Sequence, residues 1–129
     1  MRYLLDTSVF LWFIGEKRRI PARVRHHLTE PDAELFLSVV SLWEILVKFD
    51  LGKLPLPDAA NRYIPARREQ HGIQELLLTG TAVLRLAGIP PIHRDPFDRM
   101  LVCQAIDDGL TLVTGDPRIR AYPAKTLWA

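Results

Sequence analysis

The residues of this chain follow two hydrophobic patterns. Short, largely apolar runs of strand length occur at 2–6, 35–37, 73–78, 110–113 and 125–128. The segments between them carry helix signals, namely polar caps, early prolines and terminal glycines. Because the strand runs are apolar throughout, rather than at every second position, the pattern predicts a mostly parallel sheet with helices on both faces.

The helical segments are defined mainly by their ends. The clearest start is Asp95-Pro96, with Asp98 following, because it offers a cap, a proline at the first position and an acid at the third. Pro65 is expected to weaken the middle of its helix. Without a linker or repeat, we expect residues 1–129 to form one domain. The predicted helices are 7–15, 22–29, 38–49, 59–70, 81–87 and 95–108, with one more turn after Asp116.

Four acidic residues stand out because each lies among apolar neighbours. Asp6 ends the first strand and Asp116 follows the fourth; Asp98 opens a helix and Glu44 is embedded in one. Parallel α/β sheets bind ligands beyond the carboxyl ends of their strands, so at least three of these acids should converge. Clustered, buried carboxylates need a positive partner. A divalent cation provides it, and Mg²⁺ is the usual one.

Each acid also has an ordinary structural explanation. Asp6 could cap the first helix, although Thr7 and Ser8 are able to do so as well. Glu44 could pair with Lys48 four residues later, but a solvated pair of this kind contributes only ~0.3–0.5 kcal/mol. We interpret both acids as site residues, because four such coincidences are harder to explain than one function.

The segment around the sixth helix offers similar choices. Asp95 has the stronger case for the helix cap, and Asp98 is therefore assigned to the site. Asp116 could cap the turn at Pro117, yet its place after a strand favours the site. His93 lies close to these acids without forming a zinc pattern. We interpret His93 as a turn residue that orients the chain before Asp95; contact with the substrate is the alternative.

Composition narrows the class of protein. A hydrophobic content of 48%, with three Trp and five Phe, is typical of a folded domain. Cys103, the single cysteine, is expected in the core. No apolar run reaches about 18 residues, and Asp6 interrupts the first run too early for a secretory signal. We therefore expect a cytoplasmic protein without a membrane partner.

The distribution of charge points to a polyanionic substrate. The chain has 17 basic and 15 acidic side chains, a net charge of +2. If the four acids bind a metal ion, 11 acids remain against 17 bases. An acidic pocket within a basic surface suits a polyanionic substrate that is cleaved with a metal ion. For any single basic cluster, a normally solvated surface is the simpler interpretation.

The order of these motifs resembles one family, the PIN domains. The four acidic segments of that family are similar to Asp6–Ser8, Ser41–Ile45, His93–Arg99 and Leu112–Asp116 of this chain. The likeness extends over residues 2–128, and its middle segments are similar to those of VapC-type ribonuclease toxins of type II toxin–antitoxin pairs. The resemblance implies a three-layer α/β/α PIN-like domain with a mostly parallel central sheet.

The resemblance also implies an activity, a cofactor and partners. It implies an endoribonuclease that depends on Mg²⁺ or Mn²⁺ and hydrolyses RNA phosphodiester bonds, leaving a 5′-phosphate and a 3′-hydroxyl. A small VapB-type antitoxin is expected to neutralise the enzyme. A homodimer is expected as well.

By motif position, the resemblance assigns metal binding and catalysis to Asp6, Glu44, Asp98 and Asp116. We expect Asp6 and Asp98 to bind the metal directly, and the other two acids to complete its shell. Hydrogen bonds from Thr114 and from Thr7 would support them. Three arginines near the acids are candidates for contacts with RNA phosphates: Arg94, Arg99 and Arg118.

Alternative functions stay open at this stage. A non-catalytic RNA- or protein-binding PIN-like module would share the fold, and a DNA-directed nuclease would share the acids. A receiver domain or an Asp-x-Asp phosphatase is disfavoured, because Thr7 and Ser8 follow Asp6 where such proteins need further acids. Trp12 and Phe13 could line a groove for an antitoxin helix. Core packing is the simpler interpretation of both.

Overall fold

The computed structural model describes residues 1–129, which form five strands and seven α-helices. No helix combines the length and the hydropathy needed to cross a membrane. The strands are β1 (Arg2–Leu5), β2 (Glu34–Ser38), β3 (Gln74–Leu76), β4 (Thr111–Val113) and β5 (Thr126–Leu127). The helices are α1 (Thr7–Gly15), α2 (Ala22–Leu28), α3 (Val39–Asp50), α4 (Ala60–Gln70), α5 (Gly80–Leu84), α6 (Pro96–Asp108) and α7 (Pro117–Arg120).

The five strands form one sheet in the order β3-β2-β1-β4-β5, and every pairing is parallel. Tyr3 and Leu5 of β1 pack into one hydrophobic core, while Leu4 between them packs into a second core. Successive strand side chains point to opposite faces, so the two cores lie on opposite sides of the sheet. Helices α1, α2 and α4 cover one face, and α6 and α7 cover the other. The predicted three-layer α/β/α fold is confirmed.

Polar helix caps gather at the carboxyl edge of the sheet. Asp6 follows β1 and caps α1, accepting a hydrogen bond of 2.7 Å from a backbone N–H three residues later. Thr7 and Ser8, the alternatives considered from the sequence, do not take this bond. Ser38 at the end of β2 caps α3, and Asp116 beyond β4 caps α7. The polar side chains at the ends of three strands therefore lie along this edge of the sheet.

The outer strands are shorter than the hydrophobic pattern predicts. β3 covers only 74–76 of the predicted 73–78, and β5 covers only 126–127 of the predicted 125–128. Each lies at an edge of the sheet with a single neighbour, so a ladder of hydrogen bonds holds it on one side only. Pro65 was expected to weaken the middle of its helix, but α4 continues through it.

Candidate active site

The four acids predicted from the sequence line one cleft of about 360 Å³ at the carboxyl edge of the sheet. They come from the β1–α1 junction, the second turn of α3, the first turn of α6 and the junction between β4 and α7. Asp95 and Lys48 lie in the same lining. We call Asp6, Glu44, Asp98 and Asp116 the acidic cluster.

Asp6 is only 6% exposed, and its carboxylate accepts a hydrogen bond from the N–H of Val9. The hydroxyl of Thr114 lies close enough to act on its pKa. Burial raises the pKa of Asp6 to about 6; the hydrogen bonds oppose this rise, and the charges of Asp116 and Glu44 add to it. The Thr114 hydroxyl also accepts a bond of 3.1 Å from the N–H of Asp116. Thr114 therefore lies between two acids of the cluster, and its supporting role stays a prediction.

Both carboxylate oxygens of the buried Glu44 are engaged. Oε1 accepts a hydrogen bond of 2.7 Å from Thr7 Oγ1, and Oε2 lies 2.5 Å from Lys48 Nζ. The hydrogen bond with Glu44 and its charge raise the pKa of Lys48 against the effect of burial. The hydroxyls of Thr7 and Ser41 are 2.9 Å apart. Because Thr7 gives its one proton to Glu44, Ser41 donates to Thr7. Thr7 and Lys48 thus orient the Glu44 carboxylate, and Lys48 balances its charge.

His93 lies between two acids of the cluster. Its Nδ1 accepts a hydrogen bond of 3.0 Å from the N–H of Asp95, so the proton of the neutral ring is on Nε2. Nε2 donates to Asp116 Oδ2 at 3.0 Å, and Asp98 Oδ2 lies 3.2 Å from the same nitrogen. The backbone N–H of His93 donates to Tyr122 Oη at 2.8 Å. The predicted turn contact with Asp95 is present, but the bridge between the acids is an additional feature.

Asp98 and Asp116 differ in their electrostatic environment. Burial raises the pKa of Asp98 to about 7, and the charges of Asp95 and Glu44 contribute to the rise, while His93 opposes it. Burial also acts to raise the pKa of Asp116. There, hydrogen bonds from the backbone N–H that follows Pro117 and from the histidine outweigh burial, so the pKa falls below its ordinary value. Asp98 therefore keeps its proton to a higher pH than Asp116 does, although both lie beside His93.

The other charged residues singled out from the sequence occupy different positions. Asp95 caps α6 as predicted, because its Oδ1 accepts hydrogen bonds from two backbone N–H groups of the first turn. Arg118 lies beside Asp116, with 3.6 Å between Nε and Oδ1, and is 63% exposed. Arg94 is exposed, whereas Arg99 lines a separate apolar pocket outside the acidic cleft. A role of these three arginines in RNA binding stays a prediction.

Aromatic residues form part of the cleft. Phe13 is buried in the core, as its simpler interpretation predicted, and does not line a groove. Trp12 is half-buried and does line the acidic cleft. Trp128, which the sequence patterns did not single out, lines it as well. The sequence gives only one sign of a role for Trp128, which is that it is the aromatic residue of the last predicted strand.

The chemistry of this cleft fits a divalent metal ion. Asp98 and Asp116 place carboxylate oxygens within 4.8 Å of each other and of His93 Nε2. His93 acts as a hydrogen-bond donor there, so the carboxylates are the available ligands. The raised pKa values of Asp6 and Asp98 indicate negative charge that the chain does not balance. Hard divalent cations prefer carboxylate oxygens as ligands.

Comparison with known proteins identifies the family. The PIN domain family matches residues 3–125, and the chain belongs to that family. It is similar to Ribonuclease VapC22 of Mycobacterium tuberculosis, with 24% identity over 120 residues that cover 92% of this chain and 90% of the relative. It is also 34% identical over 79 residues to Ribonuclease VapC16 of the same organism. That match covers 60% of this chain and only 51% of VapC16.

A solved structure supports the same fold. The chain is similar to VapBC2 from Rickettsia felis, determined bound to a DNA fragment from their promoter, with a TM-score of 0.73. The likeness covers 100% of both chains at 14% sequence identity. This solved structure thus shares the overall fold of the chain.

Proposed function

We propose that residues 1–129 form one PIN-like domain that is a metal-dependent endoribonuclease, the toxin of a type II toxin–antitoxin pair. The observation that carries this proposal is the acidic cluster, four carboxylates from four parts of the fold around one cleft. The VapC ribonucleases that the chain resembles supply the substrate class, RNA. An enzyme that acts on cellular RNA would work in the cytoplasm.

Asp6, Asp98 and Asp116 are the proposed ligands of Mg²⁺, with Mn²⁺ as a substitute. When bound, such an ion adds positive charge beside a phosphodiester and makes a water molecule more acidic. Glu44 has a different position, because Lys48 and a threonine occupy both of its oxygens. We therefore assign Glu44 a supporting place at the edge of the metal site. The sequence predicted only that Glu44 helps to complete the shell of ligands around the ion.

The protein's own residues also restrict the motion of the acids. The N–H of Val9 donates to Asp6, and the Nε2–H of His93 donates to Asp116 beside Asp98. Ligands that are already oriented lose less conformational freedom when the ion and the RNA bind. The candidate phosphate contacts remain Arg94, Arg99 and Arg118; Arg118 lies beside Asp116, whereas Arg99 lines a separate pocket.

A VapB-type antitoxin is the proposed partner. The solved relatives include toxin–antitoxin complexes, among them VapBC2. A lysine or arginine of the antitoxin would be attracted to the acidic cluster, where it would compete with the metal ion. Binding of an antitoxin helix to an apolar groove would add affinity. The expected homodimer is a prediction that sedimentation of the antitoxin-free protein would test.

RNA cleavage by the purified, antitoxin-free protein tests the proposed function. We expect discrete RNA products with Mg²⁺ or Mn²⁺, and none with a chelator. Asp6→Asn should lower the rate at least about a hundredfold, because it removes one ionised ligand. Asp32→Asn is the matched control, since Asp32 is exposed just before β2, at the opposite edge of the sheet. A wild-type rate in Asp6→Asn would exclude the assigned site.

Two further results would redirect the assignment. No cleavage by folded wild-type protein would favour the alternative of a non-catalytic RNA- or protein-binding PIN-like module. Cleavage of a single-stranded DNA of the same sequence at the same rate would identify a nuclease that does not distinguish the two sugars. Thermal unfolding of each preparation shows whether the protein tested is folded.

A further inference from the structure

Two indole rings form an aromatic wall of the acidic cleft. Trp12 lies on α1 and Trp128 follows β5, and both are partly exposed to the cleft. Their ring centroids are 6.2 Å apart, and their planes are inclined by 43°. We call these two residues the tryptophan pair. The third tryptophan of the chain, Trp43, is 61% exposed and lies outside this cleft.

Neighbouring residues hold the tryptophan pair in place. Gly115, which directly precedes Asp116, has no side chain, and a Cβ there would lie 2.7 Å from Trp128 Cε2. The absence of this atom lets the indole lie against the loop that carries the acid. On the other side of the pair, the Arg19 guanidinium carbon lies 4.7 Å from the ring centroid of Trp12. The rings are therefore positioned before any ligand arrives.

We propose that the tryptophan pair is a stacking subsite for a nucleobase of single-stranded RNA, next to the phosphodiester that the acidic cluster receives. The proposal rests on the proposed function. The acids repel an RNA backbone, so affinity near the cluster must come from cations or from uncharged contacts. Bases of single-stranded RNA stack on aromatic side chains, and each such contact contributes substantially to binding.

The geometry limits how a base binds. Rings 6.2 Å apart and inclined by 43° do not leave a parallel gap for a base between them. The base stacks on the indole surface that faces the acidic cleft. A base inside a duplex is covered by its neighbours, so this subsite selects unpaired nucleotides.

Binding to two RNA probes tests the subsite. We expect the Asp6→Asn protein to bind RNA without cutting it, so it is the background for all variants. One probe is a single-stranded oligoribonucleotide, and the other is an abasic chain of the same length with the same phosphates. Fluorescence anisotropy with labelled probes in Mg²⁺ gives both dissociation constants. We expect the probe with bases to bind about 5–100-fold more tightly.

Substitutions then locate the effect. Trp128→Leu should weaken binding of the probe with bases about 5–100-fold and leave the abasic probe unchanged. Trp128→Phe, which keeps an aromatic face, should retain most of the affinity. Trp43→Leu is the matched control and should bind both probes like the background protein. Thermal unfolding is compared for all variants.

Equal affinity of the background protein for both probes would overturn the proposal, and this result does not depend on the folding of any tryptophan variant. An unchanged affinity in Trp128→Leu would also overturn it. Failure of the proposed function is distinct, because it appears as absence of metal-dependent RNA cleavage by the wild-type protein.

Discussion

His93 influences two acids of the cluster although it is not itself an acid. Its Nδ1 is occupied by the N–H of Asp95, so Nε2 presents a fixed proton to Asp98 and Asp116. Burial acts to raise the pKa of both carboxyl groups, and the same ring acts to lower it. Without it, these acids would turn more freely and would keep a proton to higher pH. Both changes oppose binding of a cation.

We predict that His93→Phe weakens Mn²⁺ binding by about 10–100-fold, the usual effect of losing a donor that orients metal ligands. The pH at which half of the binding is lost should also move upward. His93→Gln, whose amide can still donate, should recover part of the affinity. Calorimetric titration at several pH values measures both effects, with the exposed His26→Gln as control. Unchanged affinity and pH dependence in His93→Phe would refute the positioning role.

At the level of secondary-structure elements, two acid–base pairs with the same spacing differ in burial. Glu44 and Lys48 lie one turn apart on α3, and Asp58 and Arg62 have the same spacing at the start of α4. The Glu44 side chain is 5% exposed, whereas that of Asp58 is 54% exposed. A buried carboxylate that loses its partner is left without solvation, but an exposed one is solvated by water.

We therefore predict that Lys48→Met destabilises the metal-free protein by about 1–3 kcal/mol. This range is below that for a fully buried pair, because the Lys48 ammonium is half-exposed and partly screened by water. Arg62→Met should leave the stability unchanged within error. Urea unfolding of the two variants and the wild type gives the comparison. Equal losses in both would show that burial of Glu44 does not determine the effect.

The same elements explain how far the sequence could predict the site. Asp6, Asp98 and Asp116 follow from local signals, because strand ends and helix starts can be located from neighbouring residues. The role of His93 depends on its contact with Asp116, which lies 23 residues later in the sequence. A pattern of neighbouring residues cannot predict a contact of this kind. The position of Trp128 likewise depends on a long-range contact with a glycine, and the lengths of the edge strands depend on their single neighbours.

For the whole molecule, the cluster of acids makes stability depend on pH. Asp6 and Asp98 titrate near 3.8 in an unfolded chain, but burial raises their pKa values to about 6 and about 7 in the folded protein. Between these limits the folded state binds more protons than the unfolded state. Stability of the metal-free protein must therefore decrease as pH rises through this interval. A bound cation favours the ionised carboxylates and acts in the opposite direction.

We predict that the melting temperature of the chelator-treated protein falls between about pH 5 and about pH 8, by roughly 3–5 °C for each kcal/mol lost. Asp98→Asn, which lacks one of the titrating groups, should show a smaller fall. Mg²⁺ should raise the melting temperature most near pH 8, where the carboxylates are ionised, and little near pH 5, where protons compete. Calorimetric unfolding across this pH range, with and without Mg²⁺, measures all three trends. A melting temperature that rises with pH in the chelator, or a Mg²⁺ effect of the same size at both ends, would show that protons and the metal ion do not share these carboxylates.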